Sequence, residues 1–287
     1  MKNRTFIYTL AFSAIFALLA GGCRNEADEA TRAEIAVTNS YLGCAVLDLC
    51  GDDMQVLCLA PPGMCPGHFD ISPLQVRQLC DSRLLLLFDF QKAVAGTLSR
   101  VKERGMKTAV VEKPGGFCLP ETYLTICRDV SEVLSTEYPE RQTQFRQRLL
   151  AIENDLKQLR QELLDKMQRA GISSAKVLAS NHQADFANWL GLETIATFIG
   201  SDVETVAGID RCLKKAEGRD VRFVIANKQE GTALAEALAE RLRAGAVVFS
   251  NFPEMQGQSS GFDTLLRTNV EALLQASEVG SHEVARQ

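Results

Sequence analysis

The chain has 287 residues, with 31 Lys and Arg against 36 Asp and Glu, a net charge of -5 and 46% hydrophobic residues. An acidic balance of this kind offers no footprint for a nucleic-acid partner. Length and apolar content suffice for one large domain or two moderate ones, and the composition excludes a disordered or fibrous chain.

At the start, Lys2 and Arg4 precede a largely apolar stretch from Phe6 to Ala20, then Gly21, Gly22 and Cys23. That order is the pattern of a secretion signal. The stretch falls short of the roughly 20 residues a membrane-spanning helix needs, and small residues before a Cys suit lipoprotein processing. We therefore expect a signal peptide over residues 1–22 and a linker over 23–33, lipidated and attached to the membrane through Cys23. The working protein is then periplasmic or at the cell surface, and loss of Lys2 and Arg4 takes its charge from -5 to -7.

Short β-branched or leucine-rich runs follow at residues 35–38, 55–59, 84–88 and 108–111, separated by helix-length segments. A second series stands at 175–179, 194–199, 221–226 and 246–249. This alternation predicts an α/β protein of two lobes, each with a mainly parallel sheet flanked by helices. The expected boundaries are an N-terminal lobe over 34–138, a long connecting helix over 139–171, a C-terminal lobe over 172–278 and a tail over 279–287. The connecting segment has no Gly or Pro after Pro139 until Gly171, and places Phe145, Leu149, Ile152, Leu156, Leu159 and Leu163 on one helical face. At 1.5 Å per residue it would run roughly 45 Å, long enough to join the lobes as a rigid spine. A coiled-coil dimer is the alternative, but the stripe covers only about four heptads and nothing continues it, so we expect a monomer.

Beyond Cys23 eight cysteines remain: Cys44, Cys50, Cys58, Cys65, Cys80, Cys118, Cys127 and Cys212. An exported chain with this count suggests disulfides. Most of the eight sit inside apolar runs, where a free Cys acts as a small hydrophobe, so few bridges are expected. Cys65 and Cys118 differ in lying in loops rich in Gly and Pro.

His68 and His182 are the two histidines of the body, and each stands just past an expected strand. Ligands of open α/β sheets gather beyond the carboxyl ends of strands, so the two can face one another across a cleft. Cys65 and His68 form a C-x-x-H pair in the loop A-P-P-G-M-C-P-G-H-F-D-I-S-P, and Cys118 in E-K-P-G-G-F-C-L-P-E-T-Y could approach Cys65. A shared metal and a disulfide are both open for that pair. No P-loop, G-x-G-x-x-G or nucleophile with base and orienting group stands out, so no enzyme is expected.

The pieces taken in order resemble the metal-binding receptors of bacterial zinc and manganese ABC importers. P-P-G-M-C-P-G-H-F-D-I-S-P is similar to that family's P-P-G-x-x-P-H-x-Y-E-P-T-P, and S-N-H-Q-A-D-F-A-N-W-L-G-L to its T-H-D-A-F-x-Y-F-A-x-x-Y-G-L. V-I-A-N-K-Q resembles F-x-E-P-Q with Gln229 on its Gln, and F-D-T-L-L-R-T-N-V-E-A-L resembles Y-L-D-L-M-R-x-N-L-E-A-L. The resemblance implies a receptor that captures a transition metal between its lobes and hands it to a membrane ABC permease, with no catalysis.

Counted without gaps, every ligand position of the family has changed. Gly67 falls on the first His with His68 one later, Gly116 on the second with Cys118 two later, Ser180 on the third with His182 two later, and Asn251 on the acid. The implied set is Cys65, His68, Cys118 and His182, with Asp70, Glu230 and Asn251 in reserve. Thiolate with imidazole suits Zn(II), with Cu(I) and Mn(II) behind it. Two alternatives are a receptor of the same fold for a corrinoid or chelated iron, and a Cys-dependent redox or hydrolytic enzyme.

Overall fold

A computed structural model describes residues 33–60, 71–92, 98, 101, 105–200, 203–255 and 261–284. The secretion segment, Cys23, Cys65, His68 and Asp70 lie outside these residues.

Two four-stranded sheets alternate with helices. The first is built from β1 (Ile35–Asn39), β2 (Val56–Ala60), β3 (Leu84–Phe88) and β4 (Lys107–Val111), in the order β2-β1-β3-β4. The second comprises β5 (Lys176–Ser180), β6 (Glu193–Phe198), β7 (Phe223–Asn227) and β8 (Gly245–Phe249), in the order β6-β5-β7-β8. Every pairing is parallel, so each step between neighbours needs a crossover over a sheet face. Expected and observed strands differ by a residue or two at the ends.

Alternation along the strands divides the core. Ile35 and Val37 of β1, Leu84 and Leu86 of β3, Val177 and Ala179 of β5, and Phe223 and Ile225 of β7 point into one continuous cluster. Ala36, Leu85 and Leu87 pack on the opposite face of the first sheet, and Leu178, Val224 and Ala226 on that of the second. Side chains of a strand alternate between faces, so each central strand serves two layers and must be apolar throughout. That is why β3 reads Leu-Leu-Leu-Leu-Phe, all five residues buried.

Several helices begin where local chemistry dictates. α1 (Ser40–Cys50) is capped by Asn39, whose side chain accepts from Leu42 N, and closes at Gly51 with φ 64°. α2 (Pro73–Leu79) opens on a Ser72/Gln75 capping box with Pro at its first turn. α3 (Pro120–Glu137) also starts on a proline. α4 (Gln142–Arg169) is the long connector, its 28 residues spanning about 42 Å. It buries Phe145, Ile152, Leu156, Leu159, Leu163 and Met167 in the continuous cluster. Leu149 is only partly buried there, and Pro139–Arg141 form a separate 3-10 turn instead of the helix start.

α5 (Ala184–Trp189), α6 (Val206–Ala216) and α7 (Ala233–Leu242) flank the second sheet, and α8 (Gly261–Val284) closes the chain. α8 packs on β8, α4 and α1, and contributes Phe262, Leu266, Val270 and Leu273 to the shared core. Ring stacking of Phe262 on Tyr123, with centroids 3.9 Å apart, ties α8 to α3 of the first half. The two sheets are thus joined through the spine, α8 and one hydrophobic core, and residues from Ala33 onward form one compact unit. The seven described cysteines, Cys44, Cys50, Cys58, Cys80, Cys118, Cys127 and Cys212, are all unbridged, and five of them are buried.

Candidate metal centre

In both halves the functional edge is the set of short turns just past the strand ends. Past β1 and β3 the buried hydrogen bonds of this edge are neutral and centre on Gln91, with the exposed Asp89 in the same turn. Gln91 Oε1 accepts from Thr38 Oγ1 at 2.6 Å, Asn39 Nδ2 at 3.2 Å and Phe88 N at 3.3 Å, all of them buried. The turn after β4 carries Lys113, Gly115, Gly116, Phe117 and Cys118, with Tyr41 Oη donating to Phe117 O at 2.8 Å.

On the second sheet the edge is charged. Ser180 ends β5, and its hydroxyl donates to Glu230 Oε2 at 2.6 Å while accepting from His182 N at 3.2 Å. Glu230, from the turn after β7, takes His182 Nδ1 on its other oxygen at 2.6 Å. Hydrogen bonding to Glu230 raises the basicity of His182, against opposing effects of burial and of Lys113. Burial works to raise the Glu230 pKa, yet the bonds from His182 and Ser180 outweigh it and hold the carboxyl below its ordinary range. The imidazole is therefore oriented through Nδ1, its side chain remains 58% exposed, and its Nε2 has no hydrogen bond among the described residues. A carboxylate on one ring nitrogen is the usual arrangement for presenting the other to a metal.

Cys118 sits differently. It is 1% exposed, its thiol donates to Ser250 O at 3.1 Å with Asn251 Oδ1 at 3.5 Å, and it accepts from Asn269 Nδ2 at 3.6 Å. Burial pushes this thiol well above the usual cysteine range, so it is a protonated donor at neutral pH and a poor nucleophile in this state. The loop bearing it docks into an amide network of the second half. Gln183 Nε2 donates to Asn227 Oδ1 at 3.2 Å and Asn251 Oδ1 at 3.0 Å, and Gln229 Oε1 accepts from Asn251 N at 3.1 Å. Asn269 of α8 holds Ser250 through both its N–H and its C=O, each at 2.9 Å. Gln183 Oε1, in a side chain with no exposed surface, has no partner among the described residues.

The three described positions that align without gaps to family ligands hold other roles. Gly116 lies so close to Asp185 that an added Cβ would come within 2.9 Å of its Cβ. Ser180 serves Glu230, and Asn251 is 2% exposed within the amide network. Among the described residues no three His, Cys, Asp or Glu side chains come together as a metal-holding group. His182 and Cys118 stand at the same edge of the fold but share no hydrogen bond, and Cys65 and His68 fall in the undescribed segment 61–70. Sequence reasoning held Glu230 only in reserve and missed Lys113, Gln183 and Asn227. Each of these follows a strand end by no more than three residues or, for Asn227, closes the strand itself, and that proximity was the available signal.

No curated protein sequence matches the chain. Among solved structures, ZnuA is similar with a TM-score of 0.70 at 17% identity, covering 86% of this chain and 100% of that one. A manganese-bound periplasmic metal-binding protein from Candidatus Liberibacter asiaticus is similar with a TM-score of 0.70 at 10% identity, covering 85% and 98%. A zinc-bound ZnuA deletion mutant reaches 0.67 at 18% identity, covering 86% and 98%. These likenesses establish the two-lobed α/β fold with its long helix. The family model described as the periplasmic component A of the zinc-uptake complex, ZnuA, matches residues 35–276, both sheets and the connector included, and the chain belongs to that family.

Proposed function

We propose that this protein is the extracytoplasmic receptor of an ABC importer and captures a transition metal ion, zinc in first place, between its two sheets. It delivers the ion to a membrane permease and catalyses no reaction. The observation that carries the reading is the His182–Glu230 pair at the carboxyl edge of β5, which orients the ring through Nδ1 and leaves Nε2 without a hydrogen bond among the described residues. His182 then supplies the ligand from the second half, and Cys65 with His68 supply two from the first. Cys118 completes a Cys2His2 tetrahedron once its proton is displaced and its bond to Ser250 O is given up. Thiolate and imidazole favour zinc over manganese, which prefers oxygen. Export by the N-terminal signal and anchoring through Cys23 belong to the same proposal.

The test is zinc titration of the reduced protein by calorimetry, with elemental analysis and a thiol count on the same sample. We expect one zinc per chain, and a loss of affinity of roughly tenfold to a hundredfold on His182→Ala, with a smaller loss on Glu230→Gln because the imidazole loses its orienting partner. Unchanged zinc affinity in both His182→Ala and His68→Ala would overturn the ligand set.

A further inference from the structure

The amino edge of the second sheet holds a cavity that plays no part in metal capture. It measures about 500 Å³ and lies between the end of α4, the start of β7 and the later turns of α8, with Lys166, Arg169, Arg222, Ser277 and Glu278 in its lining. Three cations against one carboxylate leave a surplus of two positive charges, on a chain whose net charge is -5.

Two of the cations owe their place to the helix. Lys166 and Arg169 stand in the last turn of α4, where the carbonyl end favours positive charge, and Arg169 Nε donates to Asp165 O at 3.3 Å. Arg222 has no such reason. Its N–H donates to Lys176 O at 2.8 Å and its C=O accepts from Gly245 N at 2.9 Å, so its backbone is pinned between β5 and β8. Its guanidinium carbon lies 5.3 Å from the centre of the Phe223 ring, within the range of cation–π attraction. The carboxylates nearest in the chain to the helical pair are engaged elsewhere. Glu162 pairs with Lys166 at 3.1 Å but is also held by Arg267, and Asp165 Oδ1 accepts from Gln161 Nε2 at 2.7 Å. Among the described residues no carboxylate lies within ion-pair distance of Arg169 or Arg222.

We propose that this cavity binds a phosphate group, free or esterified, with Arg169 and Arg222 as its donors and Lys166 as the flanking charge. Two guanidinium forks offer paired N–H donors to a tetrahedral oxyanion, and a surplus of two charges matches its dianion. A carboxylate, with one charge and two oxygens, fills only one fork. Because every pairing in the sheet is parallel, the cavity stands at the opposite end of the strands from His182 and is independent of the receptor reading.

The test is equilibrium dialysis of the full chain against radiolabelled inorganic phosphate in zinc-free buffer, beside sedimentation with phosphatidylcholine vesicles with and without phosphatidic acid. Saturable retention of one phosphate per chain, or sedimentation that depends on phosphatidic acid, is the expected result, and the tighter of the two identifies the source. The double variant Arg169→Gln/Arg222→Gln should lower that affinity roughly tenfold to a hundredfold. Lys214→Gln/Lys215→Gln removes the same charge from exposed positions of α6 and should leave the affinity within about twofold. Both double variants are checked for native circular dichroism. Binding in neither arm, no loss in the arginine variant, equal loss in the two variants, or displacement of phosphate by an equal concentration of acetate would each overturn the proposal, and none of these outcomes bears on metal capture.

Discussion

The two halves share one strand order and one pattern of parallel pairing, yet their carboxyl edges carry different chemistry. In the first half the buried bonds of the edge are neutral and centre on Gln91, with the charged Asp89, Glu112 and Lys113 beside them. In the second half it holds an oriented imidazole, a carboxylate and a serine in mutual contact. Topology determines where a site can form, whereas the side chains just beyond each strand decide what forms there. Of the proposed ligand set, the described part of the first half holds Cys118, and that thiol is engaged by the opposite half.

The comparison can be broken most severely through the core the halves share. Phe145→Ala on the spine removes a fully buried ring and is expected to cost about 3–5 kcal/mol. Because that core runs through both sheets, both halves should unfold together. Fluorescence of Trp189, the sole tryptophan and a residue of the second half, and far-ultraviolet circular dichroism should then report the same denaturant midpoint. Separate midpoints would show two independent halves.

A smaller effect is expected where the halves meet. Asn269→Leu leaves Ser250 N without its partner and Ser250 O with the Cys118 thiol as its remaining donor, and loosens the seat of Cys118, at a cost of about 1–3 kcal/mol by urea denaturation. The same variant should expose Cys118 to alkylation faster than in wild type, whereas a reactivity unchanged under native conditions would show that the seat does not depend on α8. Cys44 and Cys127, buried in the core of the first half, should stay unreactive in both proteins until global unfolding, since burial pushes the Cys44 thiol up to about 12 and the Cys127 thiol above its usual range as well.

The smallest effect is at the surface, where Arg267 of α8 and Lys166 both pair with Glu162 of the spine. The Arg267 hydrogen bond holds the Glu162 carboxyl below its ordinary value, so its contribution is fully present above the unfolded-state pKa and lost as pH falls through the folded one. Exposure limits it to about 0.5 kcal/mol or less, so Glu162→Gln should flatten the acid limb of the stability curve slightly and leave neutral stability almost unchanged.

The strands were legible because a parallel sheet covered on both faces demands unbroken apolar runs, and Leu84–Phe88 and Phe223–Asn227 could hardly be anything else. The spine was legible from its period, though not its start, because Pro139 opens a 3-10 turn before the α-helix takes over at Gln142. At the edge, His182 could be singled out by its place after a strand, and it does stand two residues past β5. Its partner was not assigned, because Glu230 lies 48 residues away and only the pairing of β5 with β7 brings the two together. Cys118 could be singled out by its loop, but nothing local distinguishes a thiol open to the cleft from one sealed under Ser250 and Asn269.

What the amino-acid order determined by itself is the periodic part: two α/β series, the joining helix, and the family that their sequence of motifs resembles. Those features depend on neighbours within a few residues, where side-chain period and capping act directly. Only the tertiary structure decided which polar groups share a site, that Glu230 orients His182, that Asn251 and Ser180 serve other partners, and that the Cys118 thiol is seated under Ser250 and Asn269 of the opposite half. Those are contacts between turns far apart in the chain, and their energies depend on distance and burial that exist only once the sheets have formed and share a core.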